Sequence, residues 1–427
     1  MTTFDQILPS IRGVLHAQLE NLKKLERLVI NRDLNGRVRL VVDEKVFDNT
    51  EARAALDAIV CALAECLGSH SFPAERMVLF ESDVLAVMQG APNFNLEGFS
   101  NVTVVDRLAA ETDWATIAPI ATGARRTVFF SIKGGVGRST ALAAGAWSLA
   151  QVGKRVLVLD IDLESPGISC SLLPNERRPT YGIADWLVED LVDNGASVFE
   201  DMIATSDFSH DGEIYVVPAH GRDPGEYVAK LGRVWMPKIG ADGSRQSWSK
   251  RLNRLLDDLE KRWQPDVILI DSRAGIDEIA SACITDLGAH TVLLFAMNSE
   301  QTWSGYRILF RHWRRTRAVS DIRERLQLIG SMIPEVGGVE YFNDLRENAW
   351  NVFAEELYDE VPAGELIGDY FSFDETDQTA PHYPLPIRWH RGFAALQSIH
   401  SHLQIIDFSE VTSIFGHLPL IEENVYV

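Results

Sequence analysis

The 427-residue chain reads as an α/β protein: a doubly wound, mostly parallel sheet preceded by a small α+β domain. Three observations lead there. From Thr127 onward, strands that are apolar along their whole length ("TVFFSI", "KRVLVLDID", "EIYVVPA", "DVILIDS", "TVLLFAM", "LQLIGSMI") alternate with helical segments such as "ALAAGAWSLAQV". Strands without inside–outside alternation are buried on both faces, as in a parallel sheet covered by helices. The first of these strands runs into "KGGVGRST", a glycine turn ahead of a helix, and two others end in aspartate, "VLDID" and "ILIDS". Acids at carboxyl strand ends sit where such sheets hold ligands.

The first 122 residues have a different texture. Apolar residues recur three or four apart at Ile7, Ile11, Leu15, Leu19, Leu22, Leu25 and Val29, which predicts one long amphipathic helix from Phe4 to about Val29. A strand "RVRLVV", a helix over "NTEARAALDAIVCALAECLG" and strands "RMVLF" and "VTVVD" follow, with no motif that carries chemistry. With "ATGARR" as the linker, the expected domains are 1–122, of unknown role, and 123–427, ending in a helical extension. "APHYPLPI" is read as an ordered loop leading into a last helix from about Gly392.

Composition narrows the function classes. Forty basic residues against 61 acidic ones give a formal charge of -21, so the chain as a whole repels DNA and anionic membranes. The four cysteines have neither C-x-x-C spacing nor the density of a disulfide scaffold, and the eleven histidines show no metal-ligand spacing. "MTTFDQILPSIRG" has no signal-peptide pattern, and no apolar run approaches membrane-span length. The expectation is a cytoplasmic protein with no membrane role. One stretch runs against the overall charge: "RILFRHWRRTRAVSDIRER", Arg307 to Arg325, reads as a solvated helix face, with non-specific DNA binding the less favoured alternative.

The glycine turn repays reading by residue. Gly134, Gly135 and Gly137, on either side of Val136, let backbone N–H groups converge, and the helix opening at Arg138 adds its positive end. Ser139 stands where a phosphate-loop hydroxyl binds Mg²⁺, and Thr140 can reach a second phosphate. Against G-x-x-x-x-G-K-[ST], Ile132 replaces the first glycine and Arg138 the lysine, so the turn alone is also compatible with a plain strand-to-helix connection. Asp160 and Asp162, two apart on an extended chain, point the same way and can share the holding of Mg²⁺ waters and an attacking water. Asp271, followed by the small-residue loop "SRAGIDE", has the layout of a Walker B strand and its switch.

Together these residues resemble the ParA and MinD family of deviant Walker P-loop ATPases. "KGGVGRST" is similar to the family's K-G-G-x-G-K-[ST]-T, which has no fixed first glycine; "DIDLESPG" resembles its first switch and "DSRAGIDE" its MinD-type second switch. "YGIADWL" and "IYVVPAHG" resemble segments between them, and the likeness spans about Arg126 to Ile333. An arsenite-pump ATPase would carry a different second switch.

The resemblance implies ATP and Mg²⁺ as cofactors and hydrolysis of ATP, which the departure at Arg138 is expected to make slow. Lys133 would reach phosphates in the partner's site of a homodimer sandwiching ATP, and Asp162 would position the attacking water. Lys133 through Thr140 would hold the nucleotide, with Ser139 binding Mg²⁺ directly and Asp160 and Asp271 acting through water. It also implies a nucleotide-dependent switch that recruits a protein partner through the N-terminal domain or the C-terminal helices. Two positions depart from the pattern: Arg138 for lysine, and Arg273 for a proline, the latter read as a surface arginine ahead of a second phosphate contact.

Overall fold

The computed structural model describes residues 2–89, 91–108, 113–209, 211–240, 243–362, 364, 370–391 and 408–420. The chain forms two compact units, Met1–Ala115 and Thr116–Val427. The division comes before the expected 122/123 boundary, because the supposed linker belongs to the second unit. The Ala118 N–H donates to the Thr285 carbonyl at 2.7 Å and the Ala121 N–H to that of Gly288 at 3.0 Å, and the strand through "ARR" starts at Arg125.

In the first unit, helix α1 (Ile7–Ala17) precedes strands β1 (Leu28–Arg32) and β2 (Val38–Asp43). Helix α2 (Thr50–Leu67) and strands β3 (Val78–Glu81), β4 (Asn93–Asn95) and β5 (Val102–Asp106) follow. The sheet order is β3-β2-β1-β5-β4, with β1 antiparallel to β2 and parallel to β5. Both helices pack on one face, burying Ile7, Ile11 and Leu15 with Leu56, Ile59 and Leu63.

The single helix expected from Phe4 to Val29 is not formed. It stops at Ala17, a short turn holds Leu19–Leu22, and Val29 lies in β1. β1 is central: Leu28 and Ile30 face the helices, while Val29 packs on the opposite side with Val41 and Val105. A strand buried on both faces has no alternation, so its apolar residues extended the helical spacing; pairing on both edges decides the conformation.

The second unit begins with β6 (Arg125–Ser131), α3 (Arg138–Gln151), β7 (Arg155–Asp160), α4 (Ile168–Leu172) and α5 (Ile183–Asp190). Next come β8 (Ala204–Thr205), β9 (Glu213–Val217), α6 (Tyr227–Val234), a small hairpin β10/β11 (Lys238–Ile239, Arg245–Gln246) and α7 (Trp248–Trp263). β12 (Val267–Ala274), β13 (Thr291–Ala296), α8 (Glu300–Thr316), β14 (Leu326–Ile333), α9 (Gly338–Glu356), β15 (Leu385–Arg388) and α10 (Phe408–Phe415) complete it.

The eight-stranded sheet has the order β15-β14-β13-β6-β12-β7-β9-β8 and is parallel except for the β8–β9 edge. β6 and β12 are central, which is why "TVFFSI" and "DVILIDS" are apolar throughout. α3 is nearly all buried, from Ala141 to Ala150. Its small side chains let it approach the sheet while the far side of Gly145 meets Leu420. "YGIADWL" and "IYVVPAHG" touch: the Ile183 and Ala184 N–H groups donate to the Pro218 and Ala219 carbonyls at 2.9 and 3.0 Å. Part of the presumed loop "APHYPLPI" is instead strand β15, paired in parallel to β14. A four-residue edge strand with a proline at its second position carries little strand signal of its own. The last helix expected from about Gly392 falls outside the described residues.

Candidate functional site

The phosphate-type loop leaves β6 at Ser131 and enters α3 at Arg138, at the carboxyl edge of the sheet. Gly135 and Gly137 have φ of 75° and 80°, values a side-chain-bearing residue rarely adopts, so the turn requires glycine there. Val136 is buried beneath the turn, whereas Lys133, Gly134 and Gly135 are exposed. Ser139 and Thr140 lie half-buried in the first turn of a 14-residue helix whose N-terminal end favours anions. On the far side Met332, itself at a φ of 56°, brings its methyl group up to Gly137.

Ile132, where many such loops have glycine, is accommodated by a glycine elsewhere. A Cβ on Gly305 of α8 would overlap the Ile132 side chain. The Ile132 backbone also hydrogen-bonds the buried Tyr306 hydroxyl, which in turn donates to the Phe295 carbonyl at 2.8 Å.

The acids converge on the other end of the loop. β12 lies between β6 and β7, with Asp271 paired to Phe129 on one side and to Asp160 on the other. Asp271 accepts from Ser139 Oγ at 2.7 Å and from Arg138 Nε at 2.8 Å. The same guanidinium donates to Ser131 Oγ at 3.2 Å and stands 3.6 Å from Asp162. Arg138 is thus buried and committed to carboxylates, and its charge offsets two acids that burial would otherwise leave uncompensated.

Asp160 is fully buried and accepts from the Ser169 hydroxyl at 2.8 Å and from its N–H at 3.2 Å; its other oxygen, Oδ1, has no partner. Desolvation, reinforced by Asp271, pushes its carboxyl up to about 7. Burial raises Asp162 to about 6, against the pull of Arg138 and of the Ser165 N–H, which donates to it at 3.1 Å.

The fit to a divalent cation follows from these donors. Asp160, Asp162, Asp271 and Ser139 supply hard oxygens, one of them a buried atom without a partner. Among the described residues no cluster of three metal-ligating side chains forms a cage. Mg²⁺ does not need one: it keeps several waters and binds through one or two side chains together with phosphate oxygens. Because Ser139 spends its proton on Asp271, the lone pairs of its oxygen remain free for a metal. A strand ending in a glycine turn, a helix starting at that turn, and an acid on the adjacent parallel strand bonded to the helix's first hydroxyl decide the architecture.

The second unit has the P-loop NTPase fold. Its loop and switches are similar to those of ParA and MinD ATPases. Residues 125–169 match the family model described as anion-transporting ATPase, which covers the P-loop and the first switch but stops before Asp271. No curated protein matches the sequence. Similar solved structures include a ParA-family ATPase from Chlorobium tepidum, at 16% identity over 68% of this chain and 96% of that one, with a TM-score of 0.43. Another is the septum site-determining protein MinD with Mg-ADP from Pyrococcus horikoshii, at 22% identity, 50% and 71% coverage and a TM-score of 0.34. A third is cobyrinic acid a,c-diamide synthase from Mycobacterium smegmatis with a bound ATP analog and magnesium, at 17% identity, 70% and 99% coverage and a TM-score of 0.38.

Of the residues singled out from sequence, the P-loop brings Arg138 and Ser139 together with Asp160, Asp162 and Asp271. Lys133 stands apart from them, exposed, with no hydrogen bond or ion pair among the described residues. Arg273 is not a bare surface arginine: it pairs with Glu164 at 2.7 Å and Asp277 at 3.3 Å. Ser131 and Ser169 support the site without any motif to mark them, and Glu164 and Asp277, although inside the two switch segments, were not singled out, since only the folded chain pairs them with Arg273.

The basic stretch Arg307–Arg325 spends most of its charge inside the unit. Arg307 and Arg311 pair with Glu355 and Glu356, Arg314 with Glu360, and Arg323 with Asp359. No helix among the described residues is long and apolar enough to cross a membrane.

Proposed function

We propose that this protein is an ATP-binding, Mg²⁺-dependent and slowly hydrolysing ATPase that works as a nucleotide-dependent dimerisation switch. The observation that carries the reading is the convergence of Ser139 and Arg138 on Asp271, with Asp160 on the neighbouring strand, at the mouth of the glycine turn. In this reading the N–H groups of 134–140 hold the phosphates. Ser139, Asp160 and Asp271 hold Mg²⁺, which neutralises phosphate charge when bound. Asp162 orients the water that attacks the γ-phosphorus, and the leaving group is ADP.

Lys133 is exposed on the outer lip of the turn. An exposed ammonium there is open to the phosphates of a second protomer. The switch then reports to a protein partner through residues 1–122 or the C-terminal helices.

A second reading, in which ATP binding is the signal and hydrolysis is incidental, draws on Arg138. A guanidinium 3.6 Å from Asp162 restrains the acid that would place the water. Turnover separates the two: a rate raised by a partner supports the first, and an output that needs ATP but never its hydrolysis supports the second.

The test is isothermal titration with ATP and Mg²⁺, followed by sedimentation with and without nucleotide. Binding is expected for the unaltered protein, and Lys133→Ala should abolish ATP-dependent dimerisation while keeping most of the affinity. Dimerisation that survives Lys133→Ala refutes the sandwich mechanism. A titration without heat, restored by Arg138→Lys, refutes the present site as a nucleotide binder.

A further inference from the structure

The two loops that follow the acid-bearing strands are tied by one side chain. β12 does not run straight past Asp271: its register against β6 shifts between Asp271 and Ala274, with Ala274 paired to Ser131. The Gly275 N–H then donates to the Ser131 carbonyl at 2.9 Å, so the strand re-engages the root of the phosphate loop. Ser272 and Arg273 occupy the irregularity, a device that re-aims a side chain next to functional sites.

From there Arg273 reaches Glu164 at 2.7 Å on one side and Asp277 at 3.3 Å on the other. Glu164 lies in the tight turn that begins at Asp162, where the Ser165 N–H donates back to the Asp162 carboxylate at 3.1 Å. Asp277 in turn caps the short helix 278–281 by accepting from the Ala280 N–H at 2.9 Å. The chain of contacts therefore runs from the Asp162 turn through Glu164 and Arg273 to the start of the second loop.

We propose that Arg273 is a positioning residue that fixes the turn carrying Asp162 to the loop after Asp271, so that the two switch loops move as one. The proposal deepens the ATPase reading and rests on it for its consequence in turnover, but the linkage itself is a property of the protein alone. Its strength is set by exposure: the Arg273 side chain is 34% exposed and Glu164 45%, so each pair alone is partly screened. An arginine shared between two carboxylates fixes both loops at once, which a single exposed pair does not do. The ion pairs of Arg273 are with Glu164 and Asp277, neither of which is among the acids assigned to the reaction, so it acts through Asp162.

Hydrogen exchange on the full chain without nucleotide tests the linkage. Arg273→Ala should raise exchange in the peptide spanning 162–169 roughly three- to tenfold, and leave the peptides of β6 and β12 up to Ile270 unchanged. The charge swap Arg273→Glu with Glu164→Arg should restore most of the protection, while Arg273→Glu alone should not. Unchanged exchange in 162–169, or an equal rise across the whole unit, overturns the proposal. With ATP and Mg²⁺, Arg273→Ala should change the single-turnover rate at least threefold while the nucleotide Kd stays within about twofold. A parallel loss of both would make Arg273 a nucleotide contact and overturn the positioning role. Absence of ATP binding by the unaltered protein would refute the ATPase reading and leave the exchange result to decide the linkage by itself.

Discussion

The two ends of the phosphate loop are held by different physics. At the entrance, Ile132 packs against Gly305 and its backbone bonds the Tyr306 hydroxyl, while the neighbouring Lys133 is left in solvent. At the exit, Arg138 is buried among Asp271, Asp162 and Ser131, and Ser139 shares Asp271 with it. One end is fixed by shape and the other by charge. The two basic residues of one loop therefore have opposite fates, one free to meet another molecule and one neutralised within its own site. Changes at the exit should respond to charge and pH, and changes at the entrance to volume.

The largest effect is expected at Arg138. Arg138→Ala leaves Asp271, only 1% exposed, without its counter-charge and removes one of the two positive charges that act on Asp162, and breaking such a buried pair costs about 3–5 kcal/mol. Arg138→Lys keeps the charge but not the fork that reaches both acids and Ser131, and should recover roughly half of that. Urea unfolding followed by tryptophan fluorescence reports the right unit, because only Trp114 of the ten tryptophans lies in Met1–Ala115. If both variants unfold at the wild-type midpoint, charge does not hold the exit of the loop.

Asp160 sharpens the same end through pH. Its carboxyl titrates at about 7 in the folded protein against 3.8 when free, because burial and Asp271 oppose its ionisation. Between about pH 4 and 7 the folded state keeps a proton that the unfolded chain has lost, so this group's contribution to stability falls as pH rises through that window, and levels off above it. Asp160→Asn, still able to accept from Ser169, should therefore gain stability relative to the unaltered protein on going from pH 5 to pH 8. The urea midpoints at the two pH values measure it. A difference between variant and wild type that does not change with pH would mean that Asp160 is ionised throughout, and the electrostatic account of the exit would fail.

The contrast also explains what could be read from sequence. The sheet and the acid-ended strands were legible because two-sided burial and glycine turns leave local marks, and "KGGVGRST" with Asp160, Asp162 and Asp271 located the site. What Arg138 and Lys133 would each face was not, because direction depends on which strands are neighbours: β12 inserts between β6 and β7, and that adjacency delivers Asp271 to Arg138. For the same reason Glu164 and Arg273, more than a hundred residues apart in sequence, gave no sign of their pairing. The helix that stopped at Ala17 failed on similar grounds, since the partners of β1 on both edges are invisible in its own spacing.

The smallest effect belongs to the entrance, where only volume is at stake. Gly305→Ala places a methyl group into the Ile132 side chain, and overpacking of this kind costs about 1–3 kcal/mol. Ile132→Ala in the same chain removes the overlapping atoms and should recover most of the loss, although Ile132→Ala alone is itself destabilising by forfeiting its contacts. The sign of the coupling is the informative quantity: the double variant must be more stable than the sum of the two singles predicts. Because Ile132 is bonded through its backbone to Tyr306 and precedes Lys133, the displaced side chain should also disturb the lip of the loop. Gly305→Ala is thus expected to weaken ATP-dependent dimerisation more than ATP binding, and its stability deficit should not vary between low and high salt. A deficit that salt abolishes would show that the entrance, like the exit, is held by charge.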